Sequence, residues 1–422
     1  MKTLLILGAG TAGTIVANKM SRRLDPRDWR IVVVDREKRH FYQPGYLFIP
    51  FGQYSPAQVV KPKRNFLPSR VEVVFDDVEI IDPQNSQVKL AGSPGKIVYD
   101  QLVIATGCDI DPKETPGLVD GGWRKNIFDF YTFEGASALG AHLRNWPGGR
   151  LVMSIAEMPI KCPVAPLEFL FLADAFFRER GLRHKVELIL ATPLTGAFTK
   201  PIASAALAGL LQRKGIQVVP DFVMSEVDNH RGTLMSYDNR EVPFDLLVTV
   251  PVNKGAEVIG RSGMGDELNY VETDPHTLRS KRWPNVWVIG DAADVHTAKA
   301  GSVAHFMADI LVDNLFHETR GRTGPYPASF DGHANCFIET GFGRALLIDY
   351  SYTAEPLPGS FPLRRFGPLP LLKESRRNHW GKLLFRPIYW HLLLPGRLPF
   401  PPHYRPPGTA ARRTSRSDSA AK

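Results

Sequence analysis

The fold of this chain is decided near its start, by the stretch Leu4-Leu5-Ile6-Leu7-Gly8-Ala9-Gly10-Thr11-Ala12-Gly13. Four apolar residues predict a buried strand, the GxGxxG spacing predicts a tight turn, and the residues that follow predict a helix to about Arg22. In such a unit the first glycine permits the turn, the second lets backbone amides approach a pyrophosphate, and the third lets the helix pack closely on the strand. The phosphates would lie at the helix N-terminus. We therefore predict dinucleotide contacts from Gly8, Ala9, Gly10, Ala12 and Gly13.

A carboxylate that could bind ribose follows the next predicted strand, Trp29–Val34. That strand ends in Asp35, and an acidic residue at about this distance from the glycine turn is expected to bind the ribose hydroxyls. Arg36 beside it could instead suggest the 2′-phosphate of NADP.

Two later strand ends indicate FAD. Residues 102–107 predict a strand that ends in an Ala-Thr-Gly turn, and residues 286–291 predict a strand whose last residue, Asp291, precedes a helix near Ala300. This ordered trio of motifs is similar to that of flavoproteins with two dinucleotide-binding domains, and the similarity implies that Asp291 contacts the ribityl chain. The predicted cofactor site also includes Arg36, Tyr42, Val78, Thr106, Gly107 and Gly290.

The middle of the chain predicts a second Rossmann-like domain that lacks a nicotinamide site. Residues 151–155 predict a strand and residues 167–177 a helix, but the turn between them, residues 156–166, contains no glycine. A pyrophosphate could not approach that backbone closely, and Glu157 would repel it. We therefore expect the electrons to come from a donor other than NAD(P)H.

Cys162 lies in this turn, in the place of the missing glycines. A thiol at the N-terminus of a helix has a pKa below its reference of about 8.5, which favours the nucleophilic thiolate. An inert buried cysteine is the alternative interpretation. Glu168, six residues later, is either a proton relay or an acidic residue that suits the helix dipole.

The chain has two other cysteines, Cys336 and Cys108. Cys336 lies in a strand-like segment that we predict to form a cap over the flavin, and the sequence alone does not place it relative to Cys162. Cys108 directly follows the Ala-Thr-Gly turn and is interpreted as a small residue near the flavin pocket. Three scattered cysteines are too few for a disulfide scaffold or a zinc site.

Together these motifs resemble those of the sulfide:quinone oxidoreductases and of their relatives, the flavoprotein subunits of flavocytochrome c sulfide dehydrogenase. The resemblance extends over nearly the whole chain, and many members have a third active-site cysteine that is absent from residues 123–132 here. It implies that Cys162 and Cys336 are a redox pair on the substrate side of the flavin, and that Gly301, Lys382 and Phe385 line a quinone pocket on the other side. The residues that carry it are 8–13, 40–44, 105–107, 161–163 with Glu168, 290–291, 299–301, 335–337 and the tail from Leu371 to Trp390.

The resemblance implies a catalytic sequence. Sulfide attacks a disulfide or sulfur-bridged form of the Cys162 and Cys336 pair, a persulfide forms on one cysteine, and two electrons pass through the flavin to quinone; the product is zero-valent sulfur or polysulfide. One alternative is a type II NADH:quinone dehydrogenase, which needs the second glycine turn. Another is a flavin-bearing sulfur carrier without turnover. The sequence is also compatible with a homo-oligomer.

The net charge of +9 is concentrated at the end of the chain, where residues 361–422 contain 13 Lys and Arg and two acidic residues. This location does not suggest a nucleic-acid-binding domain. Apolar and aromatic residues alternate with basic ones from Leu371 to Arg397, which is typical of a helix pair at an anionic membrane surface. A basic amphipathic helix packed on the protein's own core is the alternative. No signal peptide is recognisable, so we expect a peripheral protein on the cytoplasmic face of the membrane.

The expected fold class is α/β, with two Rossmann-like domains, the second degenerate for NAD, and a C-terminal amphipathic membrane-binding segment. The predicted boundaries are residues 1–110 with 245–320 for the FAD domain, 111–244 for the second domain, 321–400 for the cap and membrane segment, and 401–422 for a disordered tail.

Overall fold

The computed structural model describes residues 1–322, 325–362, 366–398 and 409–411. Helices and strands are numbered in chain order. The α-helices of these described residues are α1 (Thr11–Arg23), α2 (Phe133–Leu143), α3 (Ala165–Glu179), α4 (Pro201–Arg213), α5 (Glu257–Arg261), α6 (Gly301–Thr319) and α7 (Arg376–Ile388).

The first domain is built on a parallel five-stranded sheet in the order β21-β9-β1-β2-β5. Its strands are strongly apolar because helices cover both faces of such a sheet. The predicted strand-turn-helix unit is confirmed, since β1 leads through the glycine turn into α1. The strands are β1 (Lys2–Leu7), β2 (Trp29–Val34), β5 (Glu72–Val74), β9 (Gln101–Ile104) and β21 (Val286–Val288).

The second domain repeats this architecture with a parallel sheet in the order β11-β18-β12-β13-β14. Its central strand β12 leads into α3 through the turn that contains Cys162. The sheet includes residues 246–250, which pair with β12, so the predicted boundary at residue 245 falls too early. The strands are β11 (Ile127–Phe128), β12 (Gly149–Ile155), β13 (Val186–Ala191), β14 (Ile216–Val219) and β18 (Leu246–Val250).

The remaining strands form small sheets around these two. Strands β10 and β19 pair where the chain passes between the domains, and the hairpin β23–β24 forms the centre of the cap. The strands are β3 (Arg39–Phe41), β4 (Val60–Pro62), β6 (Val78–Asp82), β7 (Gln87–Leu90), β8 (Lys96–Val98), β10 (Cys108–Asp111), β15 (Met224–Asp228), β16 (Thr233–Ser236), β17 (Glu241–Pro243), β19 (Val252–Gly255), β20 (Val271–Glu272), β22 (Ala293–Asp294), β23 (Ala334–Gly341), β24 (Arg344–Tyr350), β25 (Ala354–Pro356), β26 (Gly359–Phe361), β27 (Leu369–Leu371) and β28 (Thr409–Ala411).

The C-terminal segment differs from the predicted helix pair. It forms one helix, α7, which continues into a π-helical turn at Tyr389–Leu393. Tyr389, Trp390, Leu393 and Leu394 are buried against the first domain, where the Leu394 carbonyl accepts a hydrogen bond from Asn18. These four residues were expected at a membrane surface and instead pack on the protein's own core.

The predicted disordered tail, residues 401–422, lies outside the described residues except for strand β28. This strand pairs antiparallel with β25, contrary to the disorder expected there. Within the described part of the chain, no helix is both long enough and apolar enough to cross a bilayer.

Candidate functional site

The glycine turn between β1 and α1 has the close packing that the motif predicts. A β-carbon on Gly13 would lie 1.9 Å from the Gly8 carbonyl oxygen, and one on Gly8, whose φ is +94°, would lie 2.4 Å from the Ala105 oxygen. A β-carbon on Gly10 would meet no protein atom within 4 Å. The turn is therefore closed toward the protein and open beside Gly10, at the amino end of α1, as a bound pyrophosphate requires.

Asp35 lies at the end of β2 beside this turn. Its Oδ2 accepts a hydrogen bond of 2.6 Å from the Ala9 amide and is 2.6 Å from the Nζ of Lys63. Arg36 is paired with Asp109 at 3.3 Å, and so its guanidinium already has a carboxylate partner. Asp35 is placed where a ribose-binding carboxylate would be.

Two further predicted cofactor residues lie apart from the glycine turn in the chain. Tyr42 is buried in the core, with its ring 4.9 Å from that of Tyr389. Val78 begins strand β6 and packs partly buried against the same core.

The carboxyl end of the first sheet provides polar groups for the rest of a dinucleotide. The Thr106 hydroxyl is buried and has no hydrogen-bond partner among the described residues. Burial raises the pKa of Asp291, while Lys299 and Lys161 lower it. The Nζ of Lys299 donates to the carbonyls of Asp291 at 2.9 Å and Ala293 at 3.0 Å.

A partly open cleft lies beside Gly290 and Asp291, at the N-terminus of α6. Helix α6 begins at Gly301, and the residue before it, Ala300, provides no side-chain cap, so the first amides of the helix have no side-chain partner there. A β-carbon on Gly301 would meet no protein atom within 4 Å. With the open glycine turn and the unpaired Thr106 hydroxyl, these groups fit an extended dinucleotide.

Cys162 has an unusual backbone conformation in the turn between β12 and α3. Its φ is +44°, a left-handed value that costs a residue with a β-carbon about 1–3 kcal/mol. Three hydrogen bonds hold it: its amide donates to the Lys299 carbonyl at 2.8 Å, and its own carbonyl accepts from the Ala165 amide at 2.8 Å and the Tyr131 hydroxyl at 3.3 Å. Strain that is maintained in this way is common at functional sites.

Cys336 lies on strand β23 in the same cluster of side chains as Cys162. Burial raises the pKa of Cys336 well above its ordinary value, and the nearby charges of Cys162 and Glu168 raise it further. The phenol of Tyr350, on the adjacent strand, is within electrostatic range of both thiols. The fold thus places two cysteines that are far apart along the chain within electrostatic range of each other.

The expectation that the helix N-terminus lowers the pKa of Cys162 is wrong. Burial, and secondly the charge of Glu168, raise this pKa to about 12; Lys382 and the amides of Ala165 and Val164 lower it, but by less. The helix amides act in the predicted direction, but desolvation has the larger effect. In its reduced form, Cys162 is therefore a protonated thiol at neutral pH.

Glu168 and Lys382 form a buried ion pair beside the cysteines. Lys382 Nζ donates to Glu168 Oε1 and, at 3.1 Å, to the Phe337 carbonyl. Burial raises the pKa of Glu168 and Lys382 lowers it, whereas the pKa of Lys382 is raised because its carboxylate partners outweigh desolvation. Glu168, predicted to act with the cysteines, and Lys382, predicted to line the quinone pocket, are thus in direct contact.

The other predicted quinone-site residues lie on the elements around this pair. Gly301 begins α6, and the neighbouring Ser302 hydroxyl donates to the Asn335 carbonyl at 2.8 Å, next to Cys336. The ring of Phe385, on α7, is 6.4 Å from that of Tyr42.

Sequence reasoning missed several residues of this region. Tyr131 and Tyr350 contact or face the cysteines but lie in no motif, and the motif at residues 299–301 did not show that the Lys299 carbonyl accepts a hydrogen bond from the Cys162 amide. Cys108 is buried near Asp291, Lys161 and Tyr270, and burial raises its pKa to about 12. Only the spacing of His379 and Lys382, one turn apart on α7, could have suggested a shared face.

The comparisons with known proteins agree with this architecture. Residues 2–152 match the family described as pyridine nucleotide-disulphide oxidoreductase. The Mus musculus protein named "Sulfide:quinone oxidoreductase, mitochondrial" is 27% identical over 399 residues, covering 93% of this chain and 86% of that protein. The Dictyostelium discoideum protein of the same name is 25% identical over 400 residues, with the same shares covered. The sulfide:quinone oxidoreductase structure from Aquifex aeolicus superposes with a TM-score of 0.76 at 18% identity, over 94% of this chain and 93% of that one.

Proposed function

We propose that this chain, which is homologous to the sulfide:quinone oxidoreductases along nearly its whole length, is an FAD-dependent enzyme that oxidises sulfide and passes the electrons to a membrane quinone. The relationship to that family, predicted from the sequence, is confirmed by the mouse and Dictyostelium relatives. The observation that carries the proposal is the cluster of Cys162, Cys336, Glu168 and Lys382, in which Cys336 and Glu168 are buried and the other two are partly buried.

The sulfur chemistry begins from a disulfide between Cys162 and Cys336. Hydrosulfide attacks one sulfur and breaks the S–S bond, which leaves a persulfide on one cysteine and a thiolate on the other. Because burial raises the pKa of both thiols, the thiolate released in this step is a strong base and a strong nucleophile until it is protonated. Glu168, beside Cys162, is the proposed proton acceptor for the sulfur chemistry.

FAD supplies a carrier that accepts two electrons from the cysteines and delivers two to quinone. The proposed binding residues are those of the glycine turn, with Asp35 on a ribose and Asp291 near the ribityl chain. Their support is the open approach at Gly10, the buried Thr106 hydroxyl and the uncapped amino end of α6.

The proposed quinone pocket is formed by Gly301, Lys382 and Phe385, and α7 is the proposed membrane contact. Trp380 is 67% exposed and Leu384 58% exposed, one turn apart on this helix, and the exposed Arg376 and Arg377 precede them. Exposed aromatic and apolar residues with flanking arginines suit the interface of an anionic bilayer. Which side of which membrane the protein occupies stays a prediction.

Steady-state turnover tests the proposal and its rivals together. The purified protein, supplied with FAD and phospholipid vesicles, is mixed with a short-chain ubiquinone and either sulfide or NADH, and quinone reduction is followed. We expect reduction with sulfide and none with NADH. Reduction by NADH would favour a type II NADH dehydrogenase, and the absence of turnover with sulfide would favour a sulfur carrier.

A further inference from the structure

A chain of buried ionisable groups continues from the cysteine cluster toward the surface. The Oε1 of Glu168, which pairs with Lys382, also accepts a 2.7 Å hydrogen bond from the backbone amide of Glu339. The carboxylate of Glu339 acts on the pKa of both Lys382 and Glu168. Glu339 is almost completely buried, and a buried carboxylate is costly unless it is paired.

The chain ends at His379. Its Nδ1 is 2.9 Å from the Oε2 of Glu339, and its side chain is 16% exposed to solvent. The next residue, Trp380, is largely exposed, so His379 lies where α7 meets the protein surface. His379 and Lys382 are three residues apart and project from the same face of the helix toward strand β23.

We propose that His379 and Glu339 conduct protons from solvent to Lys382 during reduction of the quinone, an inference that rests on the proposed function. Reduction of one quinone to quinol takes up two electrons, which the reduced cofactor provides, and two protons, which come ultimately from water. A proton on His379 Nδ1 passes to Glu339 Oε2, then crosses to Lys382, with which Glu339 interacts electrostatically, and replaces the proton that Lys382 Nζ donates to a quinone oxygen. His379 then regains a proton from solvent.

The arrangement could also be purely structural, since the His379–Glu339 pair attaches α7 to β23. The two roles predict different behaviour. A structural pair affects binding and stability, whereas a proton conductor affects the rate of proton uptake and can be replaced by a small diffusing acid. Glutamine at residue 379 can still donate a hydrogen bond to Glu339 but cannot carry a proton.

The test follows only the half-reaction with quinone. FAD-loaded native protein, His379→Gln and Glu339→Gln are reduced with dithionite under anaerobic conditions and mixed with a short-chain ubiquinone. Flavin absorbance reports electron transfer, and a pH indicator in weak buffer reports proton uptake. His230→Gln, at an exposed position on the β15–β16 turn, is the matched control.

We expect both variants at residues 379 and 339 to take up protons and reoxidise at least about a hundredfold more slowly than native protein, the lower end of the range for loss of a proton-transfer group. Imidazole should restore the rate of His379→Gln, and His230→Gln should behave as native. Native rates in both variants, or a slow His379→Gln that imidazole does not restore, would overturn the inference. Because reduction by dithionite bypasses the cysteines, failure of sulfide to bleach the native flavin would contradict only the sulfide step of the proposed function.

Discussion

Cys162 combines a strained backbone with a thiol that burial keeps protonated. Its place in a turn before a helix was predictable from the sequence, because the missing glycines drew attention to it. Its pKa was not predictable, because the direction depends on how much protein from distant parts of the chain covers the thiol. The local motif shows that helix amides lie near the thiol and lower its pKa. Only the tertiary packing shows the desolvation, which raises the pKa by more.

The raised pKa leads to a prediction about alkylation. Thiolate, the reactive form, should be scarce in fully reduced protein at neutral pH and become abundant only as the pH approaches about 12. Iodoacetamide should therefore modify Cys162 roughly a thousandfold more slowly at pH 8 than a free thiol with a pKa of about 8.5. The rate, measured by mass spectrometry of the Cys162 peptide, should rise steadily with pH between about 7 and 9. A plateau in that interval would show a low pKa instead.

A second prediction concerns the buried ion pair. Glu168→Gln removes the carboxylate from Lys382 and should lower the free energy of unfolding by about 3 kcal/mol, because a buried ammonium loses its compensating charge. Glu257→Gln breaks an ion pair with Arg261 in which the Glu257 side chain is 91% exposed. This substitution should lower the free energy of unfolding by less than about 1 kcal/mol. Urea denaturation of both variants measures the difference, and equal costs would show that the buried pair is not what stabilises this region.

At the scale of elements, the strand-turn-helix unit at the N-terminus was predictable because Gly8 and Gly13 each have a local steric reason. The C-terminal segment was not, since amphipathic residues can face either a membrane or the protein's own core. The structure divides them: Tyr389 and Trp390 are buried, whereas Trp380 and Leu384 are exposed. Composition alone cannot make that division, because it depends on which face the first domain covers.

The glycine turn can be tested by two matched substitutions. Gly13→Ala places a methyl group against the Gly8 carbonyl and should lower apo-protein stability by about 1–3 kcal/mol through overpacking. Gly10→Ala meets no protein atom and should leave apo-protein stability unchanged, but its methyl group should weaken FAD binding by blocking the phosphate. Thermal unfolding and equilibrium dialysis with FAD distinguish them. Unchanged FAD affinity in Gly10→Ala would contradict the prediction that the phosphates of FAD bind at this turn.

The two faces of the C-terminal segment give a further prediction. Replacing Trp380 and Leu384 together by Gln should reduce pelleting with anionic vesicles while leaving stability unchanged, because both side chains are exposed. Trp390→Ala should instead destabilise the protein by about 3–5 kcal/mol, because its side chain is buried. Undiminished vesicle binding by the double variant would place the membrane contact elsewhere.

At the scale of the whole molecule, two parallel sheets and a cap enclose one buried cluster. The α/β architecture with two repeated domains was predictable from the order of strand ends and turns. The meeting of Cys162 with Cys336 could be supposed only from family resemblance, because it depends on how hairpin β23–β24 packs against α3. The domain boundary near residue 245 was misplaced for a related reason. Strand β18 joins the second sheet although residues 220–245 separate it from β14, the preceding strand of that sheet.

The most direct test of the account is anaerobic titration of the FAD-loaded protein with sulfide. We predict that sulfide bleaches the flavin of the native protein and of Cys108→Ser, and that neither Cys162→Ser nor Cys336→Ser is bleached, although dithionite still reduces the flavin of both. Full bleaching of either of these two variants by sulfide would contradict the claim that the two cysteines pass electrons from sulfide to the flavin.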